Sequence, residues 1–280
     1  DHESGGGGAQ DHERDGHLWR GRGERGRLNS MLLTAKIAIA FLTILPIRLP
    51  AELPDDGLKR SAAFFPLAGW LIGGFLAGGA WICIWGSLPP LVSAVLLVTL
   101  GAWLTRGLHL DGLADLLDGL GGGQTPERRL AIMKDSATGA FGVIGLVLLL
   151  GLKAACLTAL VATEGEPLFF ALFAAPVAAR WAMTTLACGT QYPREIGTGH
   201  AFVGRVGMGE LALGGLLLAP LVWWNWSAGL IILGAAMLPA FWLRFKASKA
   251  LGGVTGDVLG ASCELGEACG WLAAVVLFSP

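Results

Sequence analysis

The sequence predicts an all-α fold: a polytopic transmembrane helical bundle of about seven spans, preceded by an N-terminal interfacial or re-entrant helix. Three observations predict it. Apolar residues fill 54% of the 280 positions and charged residues only 15%, against about 25% charged in a soluble domain; the mean hydropathy is +0.61. Several runs approach the roughly 20 apolar residues needed to cross a hydrocarbon core. Lys and Arg gather in alternate connections between those runs, as the positive-inside rule requires. No basic stripe with interleaved aromatics appears, which sets nucleic acid aside. Cys83, Cys156, Cys188, Cys263 and Cys269 are scattered and form no CxxC pair, so neither a zinc site nor a disulfide framework is indicated.

Residues 1–30 read as a disordered extension. They carry Gly5 to Gly8, mixed charge and little to bury, and show no signal-peptide pattern. Residues 31–280 read as a single integral membrane domain. Met31 to Ile47 is short for a span and has cations at both ends, which fits a helix lying at the interface or re-entering the bundle. Ser61 to Trp85 is the first span, its many glycines favouring close helix contact. Pro89 to Thr105 is the second. Thr125-Pro126 then reads as an N-cap followed by Pro at the first helical position, opening a short helix that should continue through Ser136. Ala140 to Val161 and Leu168 to Ala187 are the third and fourth spans. Glu210 to Trp224, Gly229 to Phe245 and Glu264 to Phe278 complete the seven.

Lys59, Arg60, Arg106, Arg128, Arg129, Lys134, Arg194, Arg205, Arg244, Lys246 and Lys249 all fall on one side of this map. That side is cytoplasmic by the positive-inside rule. The Trp223, Trp224 and Trp226 cluster beside Asn225 fits an aromatic belt on the other.

The chain is organised around Arg106 to Gly123, where Asp111, Asp115 and Asp118 are spaced i, i+4, i+7 and so share one face of a helix. Three like charges so placed repel unless something positive lies among them. A hard divalent cation such as Mg2+ meets that need with a few carboxylates and substrate phosphates. A solvated acidic face would explain the same residues, but beside membrane spans ionisable groups are costly and usually functional. Asp257, Ala261 and Glu264 repeat the spacing, so a second acidic face can form there. Glu264 and Glu267 read alternatively as helix-start charges favoured by the dipole, the preferred reading for Glu267. Lys153 and Arg180 lie within apolar runs. They either snorkel along their aliphatic stems or turn inward, to meet an anionic part of a substrate or the acids at Asp257 and Glu264.

Four blocks carry a resemblance: His109 to Gly119, Ile132-Met-Lys-Asp-Ser136, Tyr192-Pro-Arg-Glu195, and Leu251 to Ala261. In order and spacing they resemble the signature blocks of the adenosylcobinamide-GDP ribazoletransferase (cobalamin 5′-phosphate synthase) family, over about Met31 to Pro280. The resemblance implies a multi-pass, Mg2+-dependent enzyme of the inner membrane with its active site facing the cytoplasm. It would join adenosylcobinamide-GDP to α-ribazole or its 5′-phosphate, releasing GMP. Asp111, Asp115 and Asp118 would hold the metal, which of them doubles as base being left open, with Asp257 as a further ligand or base. Lys134, Arg194 and Arg205 would contact phosphates, and Arg205 reads equally as a positive-inside charge. His109 would act as general base or orienting group, unless it is only a hydrogen-bonded interfacial histidine. The acidic pattern also resembles the CDP-alcohol phosphotransferases, but their Ala-Arg pair and later aspartates are missing. A secondary transporter is the other alternative; the absence of an internal repeat argues against it. The sequence leaves a homo-oligomer open.

Overall fold

The computed structural model describes residues 28–163, 165–195 and 197–278. Residues 1–27, to which most of the expected N-terminal extension belongs, lie outside the described residues. The described chain is helical, with no strand among the described residues. Its elements run α1 (Leu28–Leu42), α2 (Gly57–Ser61), α3 (Phe65–Trp85), α4 (Pro90–Leu104), α5 (Leu108–Gly122), α6 (Pro126–Ile132), α7 (Ala140–Thr163), α8 (Gly165–Ala187), α9 (Met208–Leu216), α10 (Ala219–Trp224), α11 (Trp226–Leu251) and α12 (Gly256–Phe278).

Among the described residues, five stretches are long and apolar enough to cross a membrane: Gly57–Trp85, α7, α8, α11 and α12. A sixth exists if α4 and α5 count as one broken span, since they meet at 89°. The segment expected as the fifth span is instead divided into the short helices α9 and α10, interrupted ahead of Pro220, which sits in the first turn of α10. The architecture is the expected polytopic helical bundle, with shorter pieces in place of some full crossings.

The centre of the bundle is α8, which packs against α3, α11 and α12. Gly69 and Gly73, one turn apart on α3, make this approach close. A Cβ at Gly69 would lie 2.6 Å from the Val177 Cα, and one at Gly73 would lie 2.8 Å from the Leu172 carbonyl oxygen. Between membrane helices, where lipid competes for apolar surface, such backbone proximity is a main source of association.

The caps follow the sequence. Thr125 accepts from the Arg128 N–H at 3.3 Å at the start of α6, and Asn225 accepts from the Ala228 N–H at 3.1 Å at the start of α11. Helix α6 stops at Ile132, short of the expected Ser136. Asp135 explains the difference: its side chain accepts from the Ala137 N–H at 3.1 Å, a local bond that competes with helix continuation. Trp223 and Trp226 are exposed on either side of Asn225, as an aromatic belt would be. All five cysteines are free.

Candidate active site

The site forms where α5 crosses the beginning of α12. At the head of α5 the chain turns through two successive left-handed residues, Arg106 (φ 55°) and Gly107 (φ 67°). The glycine adopts this without strain, whereas a side-chain-bearing residue costs about 1–2 kcal/mol there. Arg106 is braced by Ala40 of α1, whose carbonyl accepts from its Nη2 at 3.4 Å. Below the turn, Gly112 and Gly260 let α5 and α12 touch through their backbones. A Cβ at Gly112 would lie 2.9 Å from the Asp257 Cα, and one at Gly260 would lie 3.2 Å from the His109 Cα.

This crossing sets the acids. Asp111 is exposed, Asp115 half-buried and Asp118 buried. Asp111 and Asp257 line the same cavity of about 220 Å³, and Asp115 lies within electrostatic reach of Asp111, Asp257, Asp118 and the Arg194 guanidinium. Asp118 is placed differently from its two neighbours. Its carboxylate accepts from the Gly139 N–H at 2.7 Å and the Gly142 N–H at 2.9 Å, capping the N-terminus of α7.

Asp257 is held from the other side. Its Oδ2 lies 3.0 Å from Arg194 Nη2 and accepts from the Thr255 hydroxyl at 3.2 Å, while that hydroxyl accepts in turn from the Val258 N–H at 3.3 Å. Arg194 reaches this position because its loop is pinned to the approach to α12, the Val254 N–H donating to the Gln191 carbonyl at 2.8 Å. Tyr192 stands beside Arg194, and burial pushes its phenol above the ordinary value.

Among the described residues no three His, Cys, Asp or Glu side chains close into a finished metal cage. The donor set nevertheless fits Mg2+. That ion demands oxygen ligands and keeps several positions for water and phosphate, so one or two carboxylates suffice. Asp111, at the cavity wall, and Asp115, one turn further along α5 and within its electrostatic reach, are such a pair.

His109 is 1% exposed, and among the described residues both its ring nitrogens are without a hydrogen-bond partner. It is therefore not the hydrogen-bonded interfacial histidine that was one reading of the sequence. Lys134 is exposed on the turn after α6. Arg205 is exposed with its Nη2 3.3 Å from His200 Nδ1. Neither lines the cavities beside Asp111.

Lys153 and Arg180, expected among the substrate contacts, are closed inside the bundle instead. Lys153 of α7 donates to Glu264 and, at 2.9 Å, to Glu267. Arg180 of α8 donates to the other oxygen of Glu267. The two cations and two anions balance, so the inward alternative is realised with α12 acids as partners. Glu267 is corrected with them. Because α12 begins at Gly256, Glu267 lies mid-helix and only 6% exposed, not at a helix start.

Two groups of site residues carry little or no local sequence signal. Arg106 joins Asp111 and Thr138 around an open cavity of about 510 Å³; its place before Gly107 at the head of the acidic helix is the one hint. Phe41, Phe65 and Phe202, far apart in the chain, meet at the 220 Å³ cavity. Only tertiary structure shows this.

The family model described as cobalamin-5-phosphate synthase matches residues 34–275. The chain belongs to that family. It is 40% identical to the adenosylcobinamide-GDP ribazoletransferase of Syntrophobacter fumaroxidans over 240 residues, covering 82% of this chain and 93% of that one. It is 38% identical to the protein of the same name from Desulfitobacterium hafniense, covering 87% of this chain and 97% of that one. For the one from Pseudomonas fluorescens the identity is 42%, with 82% and 94% covered. No solved structure matches the chain. Membership makes it an enzyme of cobalamin biosynthesis, and the acid-lined crossing of α5 and α12 lies within the matched region.

Proposed function

We propose that this membrane enzyme joins adenosylcobinamide-GDP to α-ribazole, or to α-ribazole 5′-phosphate, with Mg2+ bound and GMP as the leaving group, at the cytoplasmic face of the inner membrane. One observation carries the reading. Asp111 of α5 and Asp257 of α12 share a cavity, with Arg194 3.0 Å from Asp257 and Asp115 in electrostatic reach of all three.

Phosphoryl transfer is achieved mainly by positioning and charge neutralisation, which these residues can provide. Asp111 and Asp115 would hold Mg2+, and the ion when bound would supply charge neutralisation at the phosphate oxygens. Arg194 and Arg106 are the cations placed to grip phosphate, their planar forks suiting two oxygens at once. Both contacts of Asp257 fall on Oδ2, which leaves Oδ1 for the proton of the ribazole hydroxyl. The hydroxyl oxygen forms its bond to the phosphorus retained by the cobinamide. The bond from this phosphorus to the GMP oxygen breaks, and the proton stays on Asp257. Asp118 acts through α7, whose start it fixes against α5. Lys134 and Arg205, exposed on the same side, are left for outer parts of the nucleotide.

The test is GMP release by the purified protein. Release that requires adenosylcobinamide-GDP, α-ribazole and Mg2+ together supports the reading. Release without α-ribazole, or none with all three, overturns it.

A further inference from the structure

The cavity of about 220 Å³ is walled by Phe41, Phe65 and Phe202 and backed by Met183 and Leu259. The rings form one cluster, with the Phe202 centroid 5.1 Å from Phe41 and 5.4 Å from Phe65. The polar side chains in its lining are His109, Asp111 and Asp257. The open cavity of about 510 Å³ shares Phe41, Leu108 and Asp111 with it and adds Arg106 and Thr138. Asp111 thus stands in a wall common to two cavities, one with three phenylalanines in its lining and one with Arg106.

We infer that the aromatic cavity seats the base of the acceptor nucleoside, while the Arg106 cavity receives the phosphate-bearing donor. This rests on the reaction proposed above. The aromatic walls choose between the two bases present. Guanine carries donors and acceptors around much of its edge. Against an aromatic wall these would go unpaired and keep their full desolvation cost. The benzimidazole of ribazole is a flat bicycle with an apolar outer edge and one free ring nitrogen. Phenyl faces pack well against such a ring in offset or edge-on geometry. His109, which also lines the cavity, is buried with both ring nitrogens unpartnered among the described residues; turned into the cavity, it would offer a single N–H to the single acceptor. With the base so placed, the attached ribose extends toward Asp111 and Asp257, where its hydroxyl reacts.

The decisive variant is Phe202→Leu, which keeps an apolar side chain and removes the ring. In two-substrate kinetics the KM for α-ribazole should rise at least tenfold, with the KM for adenosylcobinamide-GDP within twofold of wild type. Equilibrium dialysis of labelled α-ribazole with the protein in detergent, without Mg2+ or corrinoid, should show the same weakening. Phe202→Tyr should restore most of it. Should Phe202→Leu fail to fold, Phe41→Leu at a half-buried position carries the same test. Unchanged α-ribazole binding in the folded variant overturns the assignment, as does a rise confined to the corrinoid substrate, which would place guanine here. Wild-type protein that binds α-ribazole but releases no GMP would sink the proposed reaction and leave this site standing.

Discussion

Gly112 lies directly on the backbone of Asp257: a Cβ at Gly112 would sit 2.9 Å from both its Cα and its carbonyl oxygen. The candidate site therefore depends on a missing side chain as much as on the acids present. Gly112→Ala must push α5 from α12 or distort one of them, a strain of about 1–3 kcal/mol for an overpacked contact. Activity should fall at least tenfold. Gly151→Ala on α7, where a Cβ meets nothing within 4 Å, should behave as wild type. Equal activity in the two variants would show that the crossing does not set the site.

Asp111→Asn and Asp115→Asn should abolish turnover while leaving folding and membrane insertion intact. Removing one of several like charges is neutral or stabilising when repulsion was its only effect, so melting points should hold or rise. Asp118→Ala should separate from both. It removes the cap of α7 and should lower stability by about 0.5–2 kcal/mol. Thermal unfolding in detergent, run beside the GMP assay, distinguishes the two classes.

Glu267→Gln leaves Lys153 and Arg180 short of negative charge inside the bundle. Breaking a buried pair from one side costs about 3–5 kcal/mol, so this variant should unfold at markedly lower temperature. Lys153→Met combined with Glu264→Gln should lose less than the sum of the two single changes. Additive losses would mean that the two side chains do not act as one unit.

Cysteine-accessibility labelling should place Gln124 and Gln191 on the cytoplasmic side and Ser87 and Ser227 on the opposite side; all four are exposed in the structure. Labelling of Gln124→Cys from outside would put the acids away from nucleotide and would end the proposed mechanism.

The bundle, its caps and the acidic helix are legible in the sequence because each rests on local pattern: apolar runs, Thr125-Pro126, and aspartates at helical spacing. What the sequence hides is non-local. Lys153 and Arg180 are cations in apolar runs, and nothing within α7 or α8 says that Glu264 and Glu267 lie opposite. The start of α12 at Gly256 is masked by Gly252 and Gly253, which read as loop, so Glu267 reads as nearer a helix end than it is. The segment at 208–224 has the composition of a span but breaks at Leu217 and Leu218 before Pro220. The phenylalanine trio comes from α1, α3 and the loop before α9, a conjunction that no spacing rule contains.

The buried quartet also orders events in time. Helices α7 and α8 leave the ribosome before α12, so Lys153 and Arg180 enter the membrane ahead of their counter-ions. For that interval each carries an insertion penalty of about 2.5–3.5 kcal/mol. Glu264 and Glu267 arrive with α12 and cancel both charges. Helix α12 is in this sense a keystone: the same insertion that closes the charge cluster carries Asp257 into place against α5. A chain arrested before Gly256 would lack Asp257 and would leave Lys153 and Arg180 without Glu264 and Glu267.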